Sequence, residues 1–256
     1  MKYWGGAVTD VGIKKTVNQD SLCLKIVDTE QYGQIAMAVI CDGMGGLARG
    51  ELASAEVIRV FDNWFRNVLP KKIGTVPLRQ LAMEINHIVK EQNHRITNYG
   101  KRIGEKLGTT LSMFLAIQGE YLIVHVGDCR IYEITEEIRQ LTEDQTFIAR
   151  EMKYGRMTPK EALTDRRRNV LLQCVGASGD VVPDILFGTV KPDAVYLLCS
   201  DGFRHEISEH EICESLSPLS IRSEDDIRAR CGELVEVVKD RKERDNISVM
   251  LLRTVG

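Results

Sequence analysis

The sequence has no excess of one charge. Its 256 residues include 34 Lys and Arg and 37 Asp and Glu, so the formal net charge is −3. A protein that binds nucleic acid by neutralising phosphates usually carries a strongly basic face or tail. We therefore predict that nucleic acid is not a partner.

Long apolar runs are missing as well. The longest run extends from Ile35 to Cys41, far short of the roughly 20 residues that cross a bilayer. The first residues, MKYWGGAVTDVG, lack the apolar stretch of a secretory signal peptide. We expect no membrane partner and no signal peptide.

Metal-binding patterns of cysteine and histidine are also missing. The seven cysteines form no CxxC pair, and the five histidines form no HExxH motif. We interpret the cysteines as buried thiols in a reducing compartment, which predicts a cytoplasmic location. Only six prolines and no Ser/Gly-rich stretch are present, so we predict a single domain over residues 1–256. The lack of an unexplained apolar stripe favours a monomer.

Hydrophobic periodicity divides the chain into strand blocks and helical blocks. Two apolar stretches, Ser21–Asp28 and Ile35–Cys41, flank a turn and predict a hairpin. Helical spacing predicts a helix from Gly50 to Leu69, a second that opens at Pro77, and a third over Asp225–Arg241. The other predicted strands are Leu111–Ile117, Tyr121–Val126, Cys129–Ile134, Val195–Cys199 and Ile247–Leu252. This alternation is typical of antiparallel sheets with helices packed outside.

Aspartates recur where the predicted strands begin or end. They are Asp20 before SLCLKIV, Asp42 after AMAVIC, Asp128 after YLIVHVG, Asp201 after VYLLCS and Asp245 before NISVMLL. An isolated aspartate at a strand end is usually a turn former, but these meet at one edge if the strands lie side by side. Carboxylates brought together repel one another unless protons or cations offset their charge, and Mg²⁺ and Mn²⁺ prefer such oxygen ligands. The pattern predicts a divalent-cation site.

Glycine follows two of these aspartates. Asp42 opens the sequence DGMGG, and Asp201 precedes Gly202. Glycine permits positive φ and close backbone approach, so the carbonyl of Gly43 is a candidate metal ligand beside the Asp42 carboxylate. A plain strand-to-helix turn is the alternative interpretation.

In this order, the motifs resemble those of the metal-dependent serine/threonine protein phosphatases of type 2C. The segments that carry the resemblance are TDVGIKKTVNQDS (9–21), ICDGMGG (40–46), GTT (108–110), VGDCRIY (126–132), LTEDQT (141–146), RNVLLQCVG (168–176), LLCSDGF (197–203) and DNISVM (245–250). They are collinear with the family and cover nearly the whole chain. The methionine in DGMGG and the compact length resemble the bacterial branch.

The resemblance implies an α+β fold, a four-layer α/β/β/α sandwich with two central antiparallel β-sheets flanked by helices. It also implies two Mn²⁺ or Mg²⁺ ions per site. The residues it assigns to them are Asp42 as bridging carboxylate, Gly43 through its carbonyl on the second ion, Asp201 and Asp245 on the first ion, and Asp20 through a bound water. A possible third ion would take Asp128 together with Asp201.

The implied activity is hydrolysis of phosphoserine and phosphothreonine by attack of a metal-bridging water or hydroxide, with Asp42, Asp201 and Asp20 as the catalytic residues. Two close metal ions lower the pKa of the water and offset charge on the phosphoryl oxygens. The implied partners are phosphorylated protein substrates and a cognate Ser/Thr kinase, in a signalling role.

Three positions depart from the family pattern. Lys15 stands where the family has a phosphate-holding Arg, so the charge is kept and the bidentate fork is lost; Lys14 is an equal candidate to reach the site. Gln19 stands where some members have Glu, which would leave the second metal with more water ligands. Met44 stands where animal members carry a His that acts as general acid.

Residues 145–168 form a polar and basic stretch that resembles the family's flap beside the active site. Thr158 and Pro159 predict a short helix start, with Thr158 as the cap and Pro159 at the first position. The triplet Arg166–Arg168 has two interpretations: a contact surface for acidic or phosphorylated substrates, or a solvated face that balances local acids.

Three alternatives to an active phosphatase follow from the same residues. A catalytically weak or silent member would use the fold to bind a regulatory partner; Lys15 and Gln19 favour it, and the complete set of aspartates counts against it. A phosphatase for a dedicated signalling protein, such as an anti-sigma-factor antagonist, would usually carry a sensor domain as well. A purely structural carboxylate cluster would cost stability without any function.

Overall fold

The computed structural model describes residues 1–44 and 49–255. Its strands are β1 (Lys2–Asp10), β2 (Asp20–Thr29), β3 (Gly33–Asp42), β4 (Leu111–Ile117), β5 (Glu120–Val126), β6 (Arg130–Ile134), β7 (Ile138–Gln140), β8 (Asp184–Thr189), β9 (Val195–Cys199) and β10 (Ile247–Val255). Its α-helices are α1 (Gly50–Asn63), α2 (Leu78–Ile103), α3 (Phe147–Lys153), α4 (Pro159–Thr164), α5 (Asp201–Arg204), α6 (Glu209–Leu216) and α7 (Glu224–Asp240).

The strands form two five-stranded sheets in which each described pair is antiparallel. The order in the first sheet is β1-β10-β9-β6-β7, and the order in the second is β2-β3-β4-β5-β8. Only the second sheet is built largely from neighbours in sequence. The first joins the N-terminal strand β1 to the C-terminal strand β10 along their whole length.

Three apolar clusters hold the layers together. One lies between the sheets, where the rings of Phe114 and Tyr196 stack with centroids 4.6 Å apart. A second packs α1 and α2 on the outer face of the second sheet, and a third packs α6 and α7 on the outer face of the first. Each large apolar side chain buried in this way stabilises the fold by about 1.5–3 kcal/mol. The result is the predicted four-layer α/β/β/α sandwich, and the fold class is confirmed.

The local predictions are mostly confirmed, with two corrections at helix ends. The helix predicted over Gly50–Leu69 is α-helical only to Asn63; it continues as a π-helical turn over Trp64–Val68 and a 3-10 turn over Leu69–Lys71. Pro70 has no N–H, so the α-helical hydrogen-bond pattern cannot continue there. Pro77 occupies the N-cap of α2 rather than its first turn, because its extended ψ of 148° precedes the helix.

The ends of the strands meet at one edge. Because neighbours are antiparallel, the start of β2, the end of β3, the start of β4 and the end of β5 share one end of the second sheet. The end of β9 and the starts of β6 and β10 share one end of the first sheet. Contacts between the loops of these two ends, described below, bring them together.

The structure also bears on the predictions about the cysteines and about membrane-spanning segments. Each of the seven cysteines is a free thiol, and six of them are buried. Among the described residues, the helices are too short or too polar to cross a membrane.

Candidate active site and metal centre

Asp20 and Asp42 face each other at the open end of the β2–β3 hairpin. They are paired residues of the two strands, at the first residue of β2 and the last of β3. The backbone of Asp42 is fixed from the other side, because its N–H donates to the Thr110 hydroxyl at 2.8 Å and its carbonyl accepts from the Thr110 N–H at 2.8 Å. The hairpin register therefore places two carboxylates side by side.

Gly43 is held where no side chain fits. A Cβ built on Gly43 would lie 2.5 Å from the carbonyl oxygen of Gly50 and 2.7 Å from that of Gln19. A Cβ on Gly50 would in turn lie 3.0 Å from the carbonyl oxygen of Gly43. The first residue of α1 thus rests against the loop that follows Asp42. The second and third glycines of DGMGG, Gly45 and Gly46, lie outside the described residues.

Asp201 and Asp245 come from the first sheet and lie next to each other. Asp201 begins α5 directly after β9, and Asp245 lies two residues before β10. A Cβ built on Gly202 would lie 2.2 Å from the carbonyl oxygen of Asn246 and 3.3 Å from the Cβ of Asp245. Gly202 therefore lets the start of α5 approach the Asp245–Asn246 backbone.

Asp128 lies in the turn between β5 and β6, beside α5. Arg204 of that helix places Nη2 3.2 Å from the Asp128 carbonyl oxygen and 3.8 Å from its carboxylate. The same guanidinium lies 3.5 Å from the carboxylate of Asp144. All five predicted aspartates are thus brought to one end of the two sheets.

The carboxylates of the site influence one another electrostatically. Removal from water, and then the charges of the four other aspartates, raise the pKa of Asp42 well above its usual range. Burial and the charge of Asp201 raise the pKa of Asp20 to about 7 and the pKa of Asp128 to about 7. A cluster with this much mutual repulsion favours protons or cations.

Three carboxylate oxygens of this cluster lack partners. Both oxygens of Asp20 and Oδ1 of Asp201 are buried and make no hydrogen bond of normal geometry within the described ranges, although the hydroxyls of Ser248 and Ser200 lie near enough to Asp20 to oppose the rise in its pKa. Buried polar atoms are nearly always satisfied, so an orphaned group calls for an explanation. Oxygen donors of this kind fit a hard divalent cation. The carboxylates do not form a complete ion site in this structure, because no three His, Cys, Asp or Glu side chains in the described ranges are close enough together to hold an ion.

Lys15 reaches the aspartates from the loop between β1 and β2. Its Nζ lies 2.8 Å from Oδ1 of Asp245. Although partial burial opposes it, this contact together with the charges of Asp42 and Asp201 raises the pKa of Lys15. Lys14 is exposed and lines the same cleft without such a contact among the described residues. Of the two lysines, Lys15 contacts the cluster.

Gln19 turns away from the aspartates toward α1. Its Nε2 donates to Glu51 at 3.2 Å, and its carbonyl oxygen accepts from the Gly43 N–H at 3.0 Å and from the Ser54 hydroxyl at 2.6 Å. Gln19 thus connects the loop after β3, through its backbone carbonyl, with the start of α1, through its side chain.

Asn246, for which the sequence predicts no role, fixes the loop that carries Lys15. Its Oδ1 accepts from the Gln19 N–H at 2.9 Å, and its Nδ2 donates to the carbonyls of Val11 and Val17 at 2.9 and 3.1 Å. The signal that could have identified Asn246 is its position within the DNISVM motif.

Arg204 and His205 are two further residues that the sequence predictions missed. They follow Asp201 on α5, and His205 lies 3.6 Å from Asp201 and 3.3 Å from Glu243. Their position directly after the SDG motif is the signal that could have identified them.

A cleft of about 840 Å³ opens beside the aspartate cluster, and two of the five aspartates line it. Asp128 and Asp245 form part of its floor, and α3 and α4, from the 145–168 segment, form one wall. The cap of α4 is as predicted: Thr158 and Glu161 form a capping box, with Pro159 at the first position. The segment that was predicted as a flap therefore borders the candidate site.

The chain is similar to known protein phosphatases over most of its length. A family model described as protein phosphatase 2C matches residues 12–250. Protein phosphatase PhpP of Streptococcus pneumoniae (serotype 2, strain D39) is 31% identical over 253 residues, which cover 96% of this chain and 95% of that protein.

Solved structures are similar over the same length. The crystal structure of serine/threonine phosphatase Stp1 from Staphylococcus aureus is 26% identical, covers 100% of this chain and 96% of that one, and superposes with a TM-score of 0.84. The catalytic domain of the serine/threonine protein phosphatase PstP, in complex with 2 manganese ions, is 27% identical, covers 99% of both chains and gives a TM-score of 0.79. The chain therefore belongs to the protein phosphatase 2C family and is a protein-serine/threonine phosphatase of its bacterial branch.

Proposed function

We propose that the chain hydrolyses phosphoserine and phosphothreonine in proteins with the help of two divalent cations held by the aspartate cluster. The observation that carries this proposal is the set of five aspartates at one end of the sheets, three oxygens of which are buried without a described partner. The two manganese ions in the related PstP structure support the choice of Mn²⁺ or Mg²⁺.

The cation ligands in this proposal are Asp42, Gly43 through its carbonyl, Asp201, Asp245 and Asp20. When bound, the cations would activate a water molecule for attack on phosphorus and offset charge on the phosphoryl oxygens. The donor chemistry fits, since carboxylate and carbonyl oxygens are the ligands that Mg²⁺ and Mn²⁺ prefer. Asp128 is the proposed ligand of a third ion, and the Arg204 guanidinium 3.8 Å away competes for it.

Two of the chain's own side chains act on the water and on the phosphate in this reaction. Asp20 places a buried acceptor beside Asp42, where it orients the attacking water. Lys15 carries a positive charge to the edge of the cluster and binds the substrate phosphate as a point charge. Phosphoryl transfer depends mainly on positioning and electrostatics, so no Ser, Cys or His nucleophile is needed.

The wider assignment follows from the same proposal. Residues 1–256 act as one phosphatase domain in which 145–168 is the flap beside the active site. The protein acts as a monomer in signalling, against a cognate Ser/Thr kinase. The cytoplasmic location stays a prediction from the cysteines.

The first test is hydrolysis of para-nitrophenyl phosphate and of a phosphothreonine peptide with Mn²⁺, with Mg²⁺ and with EDTA. Asp201→Asn should lower kcat/KM on both substrates by about 1,000-fold, which corresponds to about 4 kcal/mol of lost transition-state stabilisation. Circular dichroism and the melting temperature report whether the variant is folded.

Asp193→Asn is the matched control. Asp193 lies in the loop before β9, at the far end of that strand, and asparagine tolerates its positive φ of 46°. It should keep full activity. Folded wild-type protein with no turnover under any of these conditions would support the silent, partner-binding alternative instead.

The role of Lys15 has its own test. Lys15→Arg supplies a bidentate fork for the phosphate, so KM should fall about threefold while kcat changes less. Lys15→Met should raise KM about tenfold. Equal KM values in all three proteins would remove Lys15 from phosphate binding.

A further inference from the structure

The cleft beside the aspartate cluster has an apolar wall on its flap side. The residues of α3 and α4 that form it are Ile148, Ala149, Met152, Pro159, Ala162 and Leu163. Met152 is 36% exposed and Leu163 is 74% exposed. A large aliphatic side chain open to solvent at the mouth of a cleft offers a surface that an apolar group of a ligand can cover.

The rest of the cleft mouth is basic, and its cations are free. Lys14, Arg168, Lys242 and Arg244 are exposed, and none has an ion-pair partner within the described ranges. They come from three separate segments: the β1–β2 loop, the end of the flap and the α7–β10 loop. We call these four residues the basic rim.

The acids of the cleft leave the rim uncompensated. Asp144 is held by Arg130, Asp245 contacts Lys15, and Glu243 contacts His205. Asp128 lies beside Arg204. Of the cleft acids in the described part of the chain, Glu206 alone has no cation partner. Within the described ranges, four cations without an ion pair therefore line the same cleft as one unpaired acid.

A single phosphate group does not account for this surplus. In the proposed function, the phosphate is taken by the cations of the aspartate cluster and by Lys15, which leaves the basic rim available for other negative groups of the same ligand. The apolar wall requires that this ligand also carry an apolar group. Charge and shape together fit an extended peptide segment with both features.

We propose that the cleft selects phosphorylated protein segments that carry acidic side chains next to the phosphorylated residue, bound by the basic rim, and an apolar side chain bound by the flap wall at Leu163. This proposal rests on the proposed function, since it concerns the substrate of the same site.

Matched phosphothreonine peptides test it. The first carries two Glu residues beside the phosphothreonine and a Leu two positions away; the second replaces Glu by Lys; the third replaces Leu by Ser. We expect wild-type kcat/KM to be about tenfold higher for the first peptide than for the second at low salt. The preference should shrink with added KCl, because exposed charges are screened.

Two double variants test whether the basic rim produces the preference for the acidic peptide. Arg168→Gln/Arg244→Gln should reduce the tenfold preference to about twofold and leave hydrolysis of para-nitrophenyl phosphate unchanged. The control Lys90→Gln/Arg222→Gln removes two exposed cations without described ion pairs that do not line the cleft. It should keep the preference. Equal loss in both double variants, or no preference in the wild type, would overturn the proposal.

A substitution at Leu163 and a matched control substitution test the role of the apolar wall. Leu163→Ser should cut kcat/KM about threefold for the first peptide and leave the third, Ser-containing peptide unaffected. Leu219, which is 85% exposed and does not line the cleft, provides the control Leu219→Ser. An equal response to both substitutions would overturn the role of the wall.

Peptide binding in EDTA, followed by fluorescence anisotropy, separates this proposal from the proposed function. If the wild type does not hydrolyse para-nitrophenyl phosphate but binds the acidic peptide more tightly than the basic one, the rim proposal stands and the catalytic proposal fails. If it hydrolyses para-nitrophenyl phosphate but binds the two peptides equally, the rim proposal fails and the catalytic proposal stands.

Discussion

Asp144 and Asp128 both lie close to Arg204, and the pKa values of their carboxyl groups are shifted in opposite directions. Asp144 accepts two hydrogen bonds from Arg130, from Nε and Nη2, each 2.8 Å long. Against the effect of burial, these bonds and the charge of Arg204 hold the pKa of Asp144 below its usual range. Asp128 has no such bidentate contact among the described residues: Arg204 lies 3.8 Å from its carboxylate, and burial and the charge of Asp201 raise its pKa to about 7 against the charges of Arg204 and His205.

The difference shows what it takes to stabilise a carboxylate that has left water. A bidentate, charge-assisted contact overcomes the desolvation cost, and a cation nearby without a hydrogen bond to the carboxylate does not. Glu133 in β6 is also paired: it is 2% exposed and contacts Arg139 and Lys191 at 3.0 and 2.8 Å. Asp144 and Glu133 are thus paired with cations of the chain, whereas Asp20 and Asp42 of the proposed site have no ion pair among the described residues.

Removing Asp144 should have the largest effect on the stability of the fold. Asp144→Asn leaves the guanidinium of Arg130, whose side chain is 23% exposed, without its carboxylate. We expect the free energy of unfolding at pH 7 to fall by about 3 kcal/mol, because breaking a largely buried ion pair from one side exposes an uncompensated charge. Urea denaturation measures it. A change below about 0.5 kcal/mol would mean that the pair contributes little.

Removing Asp20 should raise the free energy of unfolding of the metal-free protein instead. Asp20→Asn deletes a buried charge whose oxygens have no described partner, so the metal-free protein should gain about 1–2 kcal/mol of stability, as is common when a strained functional group is replaced. The variant should at the same time gain less stability from added Mn²⁺ than the wild type does. Thermal unfolding with EDTA and with Mn²⁺ gives both values, and a less stable metal-free variant would contradict the interpretation.

Acid pH should have a smaller effect, which is to reduce the difference in stability between the wild type and Asp144→Asn. The pKa of Asp144 is lower in the folded protein than in the unfolded chain, so its contribution is complete above the unfolded value of about 4 and is lost as pH falls through the folded value. The stability gap between wild type and Asp144→Asn should therefore narrow below about pH 4, by at most about 1.4 kcal/mol per pH unit. Chemical denaturation at neutral pH and at two acid pH values measures the gap. A gap that is constant over this range would show that the carboxylate is not the source of the difference.

The parts of the fold that depend on local pattern could be predicted from the sequence. The β2–β3 hairpin, the capping box of α4 and the face of α7 follow from alternation, cap residues and helical spacing within short segments. The pairing of β1 with β10 could not be predicted from such patterns, because its partners are far apart in sequence. The short elements β7, β8 and α6 were not predicted, since β7 has three residues and β8 is mostly exposed.

The residues of the candidate site likewise fall into those that the sequence can predict and those that it cannot. The aspartates could be predicted because each lies next to a strand-like apolar stretch, and because Gly follows two of them, Asp42 and Asp201. The ion pair of Arg130 with Asp144 could not, since two charged residues 14 positions apart carry no signal that they touch. Asn246 shows the intermediate case: its position in a motif is visible, and its three hydrogen bonds to the Lys15 loop depend on tertiary structure.

The pairing of β1 with β10 has a consequence for how the protein is made. Among the described strands, β1 has a single partner, and that partner is the last strand of the chain. During synthesis, β1 is made before the other described strands and stays unpaired until β10 has been translated. The second sheet, built mainly from neighbouring strands, is free to form in that time. Asp245, which lies directly before β10, reaches the other aspartates only when that part of the chain has been made, so the proposed site is completed late.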